Sequence, residues 1–129
     1  MLTYDPRTIS SKVYKNLEEL KNNTPNESDH KEQKSQAVEL YTYIATWGLL
    51  RLKAEEFALS QDNKKQVVKC FFKTLGEVAF PGEPNPFLEQ HGLNYLTNRD
   101  AFEYLGFTGL ALQVSREFAF WAEAIYPRN

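Results

Sequence analysis

Residues 97–126 read TNRDAFEYLGFTGLALQVSREFAFWAEAIY, and apolar side chains fill this stretch more densely than one face of a helix requires. At helical spacing, one stripe consists of Ala101, Leu105, Thr108, Leu112, Ser115, Ala119, Ala122 and Tyr126. A second set lies beside and behind that stripe: Phe102, Phe107, Leu110, Val114, Phe118, Trp121 and Ile125. A helix that is apolar on most sides must be surrounded. The pattern therefore predicts a long helix that the protein is built around, or that lends part of its surface to a neighbour.

Both ends of this helix carry recognisable signals. Thr97 and Asp100 have the spacing of an N-cap and a first-turn carboxylate, and Pro127 stops the run. Gly106 and Gly109 lie inside it, where each costs about 1 kcal/mol relative to alanine. Two interpretations of the glycines stay open: another backbone approaches closely there, or the glycines are a tolerated, neutral pair.

The rest of the chain also follows helical periodicity, and no segment alternates apolar and polar residues as a strand does. The predicted segments are a short helix at 8–21, a long helix at 36–59, a lysine-bearing helix that ends near 78, and a short turn or helix at 87–96. The Pro- and Gly-rich segment 80–86 predicts a loop. We therefore expect an all-α fold: a single-domain helical bundle of about five helices that spans residues 1–129.

Two places within this bundle leave alternatives. Thr24, Pro25 and Glu27 have the spacing of a capping box, and the polar residues up to 35 either extend the next helix or make 22–35 a flexible loop. Gly48 lies in the middle of the long helix, which it ends, kinks or opens to a packed neighbour.

Composition limits the classes of protein that fit. The chain has 129 residues, 42% of them hydrophobic, and no apolar run near the roughly 20 residues that span a bilayer. Its first residues, MLTYDPRTISSK, lack the apolar stretch of a secretory signal, so we expect a cytoplasmic protein. Cys70 is the one cysteine, and its apolar neighbours predict a small buried side chain.

Positive charge is concentrated in residues 64–73, KKQVVKCFFK, although the formal net charge of the chain is −2. This block contains Lys64, Lys65, Lys69 and Lys73 and no acidic residue. The last three repeat every four residues and share one helix face. That face is either an ordinary solvated surface or a strip that meets a phosphate backbone.

Motifs for catalysis and metal binding are missing from the sequence. The chain has two histidines, His30 and His91, and neither has a partner at metal-ligand spacing. No glycine-rich phosphate loop occurs, and the adjacent glutamate pairs diverge on their helices. We therefore expect no enzyme, no metal and no cofactor, and rank a pocket around Tyr41, Tyr43 and His91 as the weakest alternative.

Two patches, in the same order along the chain, resemble the small all-helical subunit of Cmr-type (type III-B) CRISPR RNA-guided effector complexes. The first patch, a tyrosine-bearing helix that leads to a Gly-Leu pair, comprises Tyr41, Ile44, Gly48, Leu49 and Leu52. The second, in the final helix, comprises Asp100, Tyr104, Thr108, Ala111, Leu112, Trp121 and Ala122. The resemblance spans residues 36–126. Trp47 departs from it, because the family usually has a smaller or polar residue before the glycine.

The resemblance implies a non-catalytic subunit that stacks within a ribonucleoprotein and contacts the backbone of guide and target RNA in antiviral defence. Its partners would be other effector subunits and copies of itself, with no membrane. The candidates for RNA contact are Lys64, Lys65, Lys69 and Lys73, followed by Arg51, Lys53 and Arg116 on apolar helices. The candidates for subunit contact are Phe107, Leu110 and Trp121. The alternative is a helical protein-protein adaptor without nucleic-acid binding.

Overall fold

The computed structural model describes residues 5–127, and helix accounts for most of them. The helices are α1 (Pro6–Asn22), α2 (Glu27–Trp47), α3 (Leu49–Ala58), α4 (Asp62–Ala79), α5 (His91–Thr97) and α6 (Ala101–Ile125). The all-helical prediction is confirmed, and the structure has no strand within the described residues. The described chain has six helices where about five were expected, because the predicted helix at 36–59 is divided in two.

Gly48 causes this division. Its backbone has φ 93° and ψ 163°, a region of conformational space that is almost exclusive to glycine, so α2 ends at Trp47 and α3 begins at Leu49. The Tyr104 hydroxyl of α6 accepts a hydrogen bond from the Leu50 N–H at 2.9 Å. That bond supplies one of the partners that the first turn of α3 lacks within its own helix.

The start of α2 decides between the alternatives for residues 22–35. The helix reaches back to Glu27, so the alternative in which these polar residues extend the next helix is the one that the structure shows from residue 27 onward. The capping box is also wrong: Asn26 is the N-cap residue, while the Thr24 hydroxyl donates to the Leu20 carbonyl at 2.8 Å. Gln33 donates to the same Thr24 hydroxyl at 3.0 Å, which ties α2 to the end of α1.

The long helix α6 begins later than Thr97. Asp100 is its N-cap, with Oδ1 accepting from the Glu103 N–H at 2.8 Å, whereas Thr97 belongs to the last turn of α5. At the other end α6 stops at Ile125, two residues before Pro127, as predicted. The stop signal is therefore confirmed, and the N-cap lies about one turn later than the spacing predicts.

Helix α4 lies at the centre of the bundle and packs against α1, α2, α3 and α6. Its buried face includes Phe71 and Phe72, whose rings meet at 5.2 Å, and Phe71 also contacts Phe118 of α6 at 5.6 Å between ring centroids. Cys70 is 8% exposed, as its apolar neighbours predicted. This central position of α4 fixes which of its sides remains available to other molecules.

Within residues 5–127, each helix is too short or too polar to cross a lipid bilayer.

Candidate nucleic-acid interface

The lysines of α4 are distributed over two sides of the helix. Lys69 and Lys73 are exposed, and Lys65 is partly buried one turn before them. Because successive residues rotate by about 100° around a helix, both exposed lysines point about 160° away from Phe71, which faces α6. We call Lys65, Lys69 and Lys73 the lysine strip, and it lies on the side of α4 opposite α6.

A cleft of about 280 Å³ runs beside this strip, between α1 and α4. Its polar lining comprises Lys69, Lys73, Asn16, Asn23, Gln66, Glu19 and Glu89. The Lys73 ammonium lies 4.0 Å from the Glu19 carboxylate, with both side chains well exposed, so water screens their attraction. Lys69 and Lys73 present N–H donors here that suit an anionic ligand, whereas the Asn16 amide already donates to Thr74 and Glu77.

Lys64 lies elsewhere. It lines a second cleft, between α2 and α3, together with Glu39 and Glu55. The four lysines of the block therefore do not form a single surface. The structure brings Lys69 and Lys73 to one cleft and places Lys64 at another.

The second group of predicted RNA contacts, Arg51, Lys53 and Arg116, also does not form a single surface. Arg51 is exposed and stacks on Trp47, with its guanidinium carbon 4.7 Å from the ring centroid. Arg116 is exposed on α6, where it stacks on Tyr41 at 4.9 Å and donates to the Tyr41 hydroxyl at 3.0 Å. Each guanidinium is thus held against an aromatic ring and keeps donors for another partner.

Lys53 does not belong to any surface, and its assignment as an RNA contact is wrong. The side chain is 0% exposed, and Nζ donates to Glu56 Oε1 at 2.9 Å. The Phe72 ring lies 4.9 Å from Nζ. Burial lowers the pKa of Lys53 because it disfavours the charged ammonium, and the Glu56 carboxylate opposes that effect.

The three predicted subunit contacts are also largely interior, which corrects that prediction. Leu110 is 7% exposed, and Phe107 packs on Phe87 with ring centroids 5.2 Å apart. Trp121 lies 4.8 Å from the Tyr14 ring and donates through Nε1 to Ser10 at 3.0 Å. These residues hold α6 in the bundle, so they are not its outer face.

The large apolar side chains that α6 exposes lie near its start, apart from Phe120, which is 61% exposed near its end. Phe102 is 89% exposed and Leu105 is 66% exposed, and we call these two residues the exposed apolar end of α6. Gly106 and Gly109 follow, and a Cβ atom at either would meet no described atom within 4 Å. The close approach of another backbone, one of the two interpretations of these glycines, does not occur within the described chain.

The residues considered for catalysis do not assemble. Tyr41 and Tyr43 are two positions apart on α2, and Tyr41 faces Arg116 of α6 while Tyr43 lines the α2–α3 cleft. Burial raises the pKa of the Cys70 thiol to about 12, so it stays protonated at neutral pH. In residues 5–127, no three histidine, cysteine or acidic side chains are placed to hold a metal ion.

His30 has a structural contact. Its Nε2 atom faces the Lys21 and Thr24 carbonyl oxygens at the turn between α1 and α2, and its ring packs against Tyr126 at 5.8 Å. The spacing of residues along the chain does not predict where the His30 ring lies.

Comparison with protein-family models, with curated proteins and with solved structures gives no match for this chain.

Proposed function

We propose that this chain is a non-catalytic small subunit of a type III-B CRISPR ribonucleoprotein in antiviral defence. In this proposal it contacts the phosphate backbone of guide and target RNA and packs against other subunits and copies of itself. The observation that carries the proposal is the lysine strip, with Lys69 and Lys73 exposed beside a cleft on the side of α4 that faces away from α6. RNA and protein neighbours can then use separate surfaces.

The residues that carry the resemblance support it by their contacts. Gly48 and Tyr104 come from the two separate patches, and the Tyr104 hydroxyl lies 3.4 Å from the position that a Cβ atom at Gly48 would take. The same hydroxyl accepts from Leu50 N–H, so the two patches meet at one structural joint.

Backbone binding by the strip depends on charge rather than on shape. Lys69 and Lys73 are exposed ammonium groups, and lysines of this kind neutralise phosphates and release counterions. Glu19 and Glu89 line the same cleft and balance the charges of Lys69 and Lys73, so a net positive charge comes from Lys65 beside the cleft. We therefore expect weak affinity for RNA that falls steeply with salt and has no sequence preference at the strip.

The test is a titration of the purified 129-residue chain with a labelled oligouridine at several salt concentrations. The triple variant Lys65→Gln, Lys69→Gln, Lys73→Gln should weaken binding and lower the salt slope by about 0.7 for each phosphate that the variant no longer neutralises. A triple variant at Lys12, Lys15 and Lys31, on α1 and α2, removes the same charge from other elements and serves as the control. Equal effects of the two triple variants would remove the lysine strip from the RNA interface.

A protein-protein adaptor without nucleic-acid binding is the second candidate, and the exposed apolar end of α6 favours it. Among the large apolar side chains of residues 5–127, Phe102 is the most exposed, and its burial against a partner would stabilise a complex without any phosphate. A partner captured by the wild-type chain after nuclease treatment and in high salt, and not captured by Phe102→Ser, would favour the adaptor. A partner that nuclease treatment releases would favour the ribonucleoprotein subunit.

A further inference from the structure

The cleft between α2 and α3 has a volume of about 540 Å³, within the usual range for small-molecule sites. Its α2 wall is formed by one helix face, which carries Glu39, Thr42, Tyr43, Thr46 and Trp47. Gln36 of α2, Glu55 of α3, Leu59 and Lys64 of α4 complete the lining. Aromatic, hydroxyl, acidic and basic groups therefore converge on one space.

Trp47 supplies a flat surface at the edge of this cleft. Its side chain is 55% exposed although tryptophan is a large apolar residue, and it is the last residue of α2, directly before the glycine turn. The Arg51 guanidinium stacks on the indole at 4.7 Å from the ring centroid. An indole paired with a guanidinium forms a platform on which unpaired nucleobases stack.

Polar groups beside this platform can recognise the edge of a base. Glu55 is partly buried, and its carboxylate offers two acceptor oxygens. Burial raises the pKa of the nearby Tyr43 hydroxyl, the Glu55 charge raises it further, and Arg51 opposes both effects, so the phenol keeps its proton. Lys64 in the lining and Arg51 on Trp47 supply positive charge for a phosphate that enters with the base, and they balance the Glu39 and Glu55 carboxylates.

We propose that this cleft binds an unpaired guanine of the RNA, stacked on Trp47 and Arg51, with the Glu55 carboxylate accepting from its Watson–Crick edge. Guanine fits best because it presents two neighbouring N–H donors, which match the two oxygens of one carboxylate. The inference rests on the proposed RNA-associated function and adds a base-reading site to the phosphate contacts of the lysine strip.

The experiment follows the fluorescence of Trp47 in a Trp121→Phe background, where Trp47 is the remaining tryptophan. The probes are GMP, r(UUGUU), r(UUUUU) and a form of r(UUGUU) with an abasic site at the central position. We expect r(UUGUU) to quench Trp47 more strongly than r(UUUUU) or the abasic strand. Circular dichroism confirms that each variant retains its helices.

Variants of the cleft separate stacking from edge recognition, with affinity measured by anisotropy of labelled r(UUGUU). Trp47→Ala should weaken binding about tenfold, and Trp47→Phe should recover most of the affinity, because phenylalanine still stacks. Glu55→Gln should remove the preference for r(UUGUU) over r(UUUUU). Phe120→Ala removes another exposed aromatic side chain, 61% exposed on α6, and should leave affinity unchanged.

Each outcome has a defined meaning. Equal quenching by r(UUGUU) and the abasic strand, or wild-type affinity in Trp47→Ala, overturns the nucleobase site. If an arginine-rich peptide quenches Trp47 fluorescence and GMP does not, the nucleobase site is also overturned and the cleft is assigned to a protein partner. Binding of GMP but not of r(UUGUU) keeps a nucleobase site in this cleft but rejects the RNA-associated function. If the lysine-strip variants alone fail to weaken RNA binding, only the contact between the strip and the RNA backbone is rejected.

Discussion

At the scale of single residues, Lys53 places an ammonium group in the interior of the bundle. Its Nζ pairs with Glu56, which is 3% exposed, and Gly92 of α5 packs over the lysine stem so closely that a Cβ atom there would lie 2.7 Å from Lys53 Cε. Lys53→Met leaves the Glu56 carboxylate buried without its partner and should cost about 3–5 kcal/mol of the free energy of unfolding. Urea denaturation measures this destabilisation.

The double variant Lys53→Met, Glu56→Leu is the control, because it replaces both charges with apolar groups of similar volume. Its stability should return to within about 1 kcal/mol of the wild type. A double variant as unstable as the single one would show that packing, and not the unpaired carboxylate, determines the destabilisation.

The same pair has a defined pH dependence. Burial lowers the pKa of Lys53 below 10.5, Glu56 and Glu89 oppose this shift, and Lys69 adds to it. In the pH range between the pKa of Lys53 in the folded chain and its ordinary value of 10.5, Lys53 binds more protons in the unfolded chain than in the folded chain. The contribution of Lys53 to the free energy of unfolding therefore rises with pH in this range. The difference in unfolding free energy between wild type and Lys53→Met, measured across this alkaline range, should therefore grow.

At the scale of elements, the joint between α2 and α3 depends on one backbone conformation. Gly48→Ala should cost about 1–3 kcal/mol, since φ 93° and ψ 163° strain any residue with a Cβ atom. Gly106→Ala is the matched control, because Gly106 lies in a helix with open space around it and alanine should there gain up to about 1 kcal/mol. Thermal unfolding of both variants gives the comparison, and equal destabilisation would contradict the assigned role of Gly48.

The elements also show what the sequence can and cannot predict. The spacing of apolar residues identifies α1, α4 and α6 because that spacing is local, and it assigns Cys70 to the core on the same basis. The burial of Lys53 could not be predicted, because the residues that cover it, Gly92 of α5 and Phe72 of α4, come from distant parts of the chain. A charge on an apolar helix predicts a surface group, which is the commoner situation.

At the scale of the whole molecule, the candidate site is predictable only in part. The four-residue spacing identifies Lys69 and Lys73, but the lysine strip faces a cleft that α1 helps to form, which no local pattern reveals. The sequence indicates Phe107, Leu110 and Trp121 as the outer contacts of α6, whereas the large apolar side chains that α6 exposes are Phe102, Leu105 and Phe120. A helix that is apolar on most sides does not show in its sequence which side its neighbours cover.

This distribution of apolar surface leads to a prediction for assembly. The exposed apolar end of α6 adds little to folding, so Phe102→Ser with Leu105→Ser should change the free energy of unfolding by no more than about 0.5 kcal/mol per residue. Sedimentation velocity of the wild-type chain at rising concentration should show association, and the double variant should remain a monomer. Leu110→Ala, 7% exposed, should instead reduce stability by about 2–5 kcal/mol. If the double variant associates as strongly as the wild type, copies of this chain do not meet through the exposed apolar end of α6.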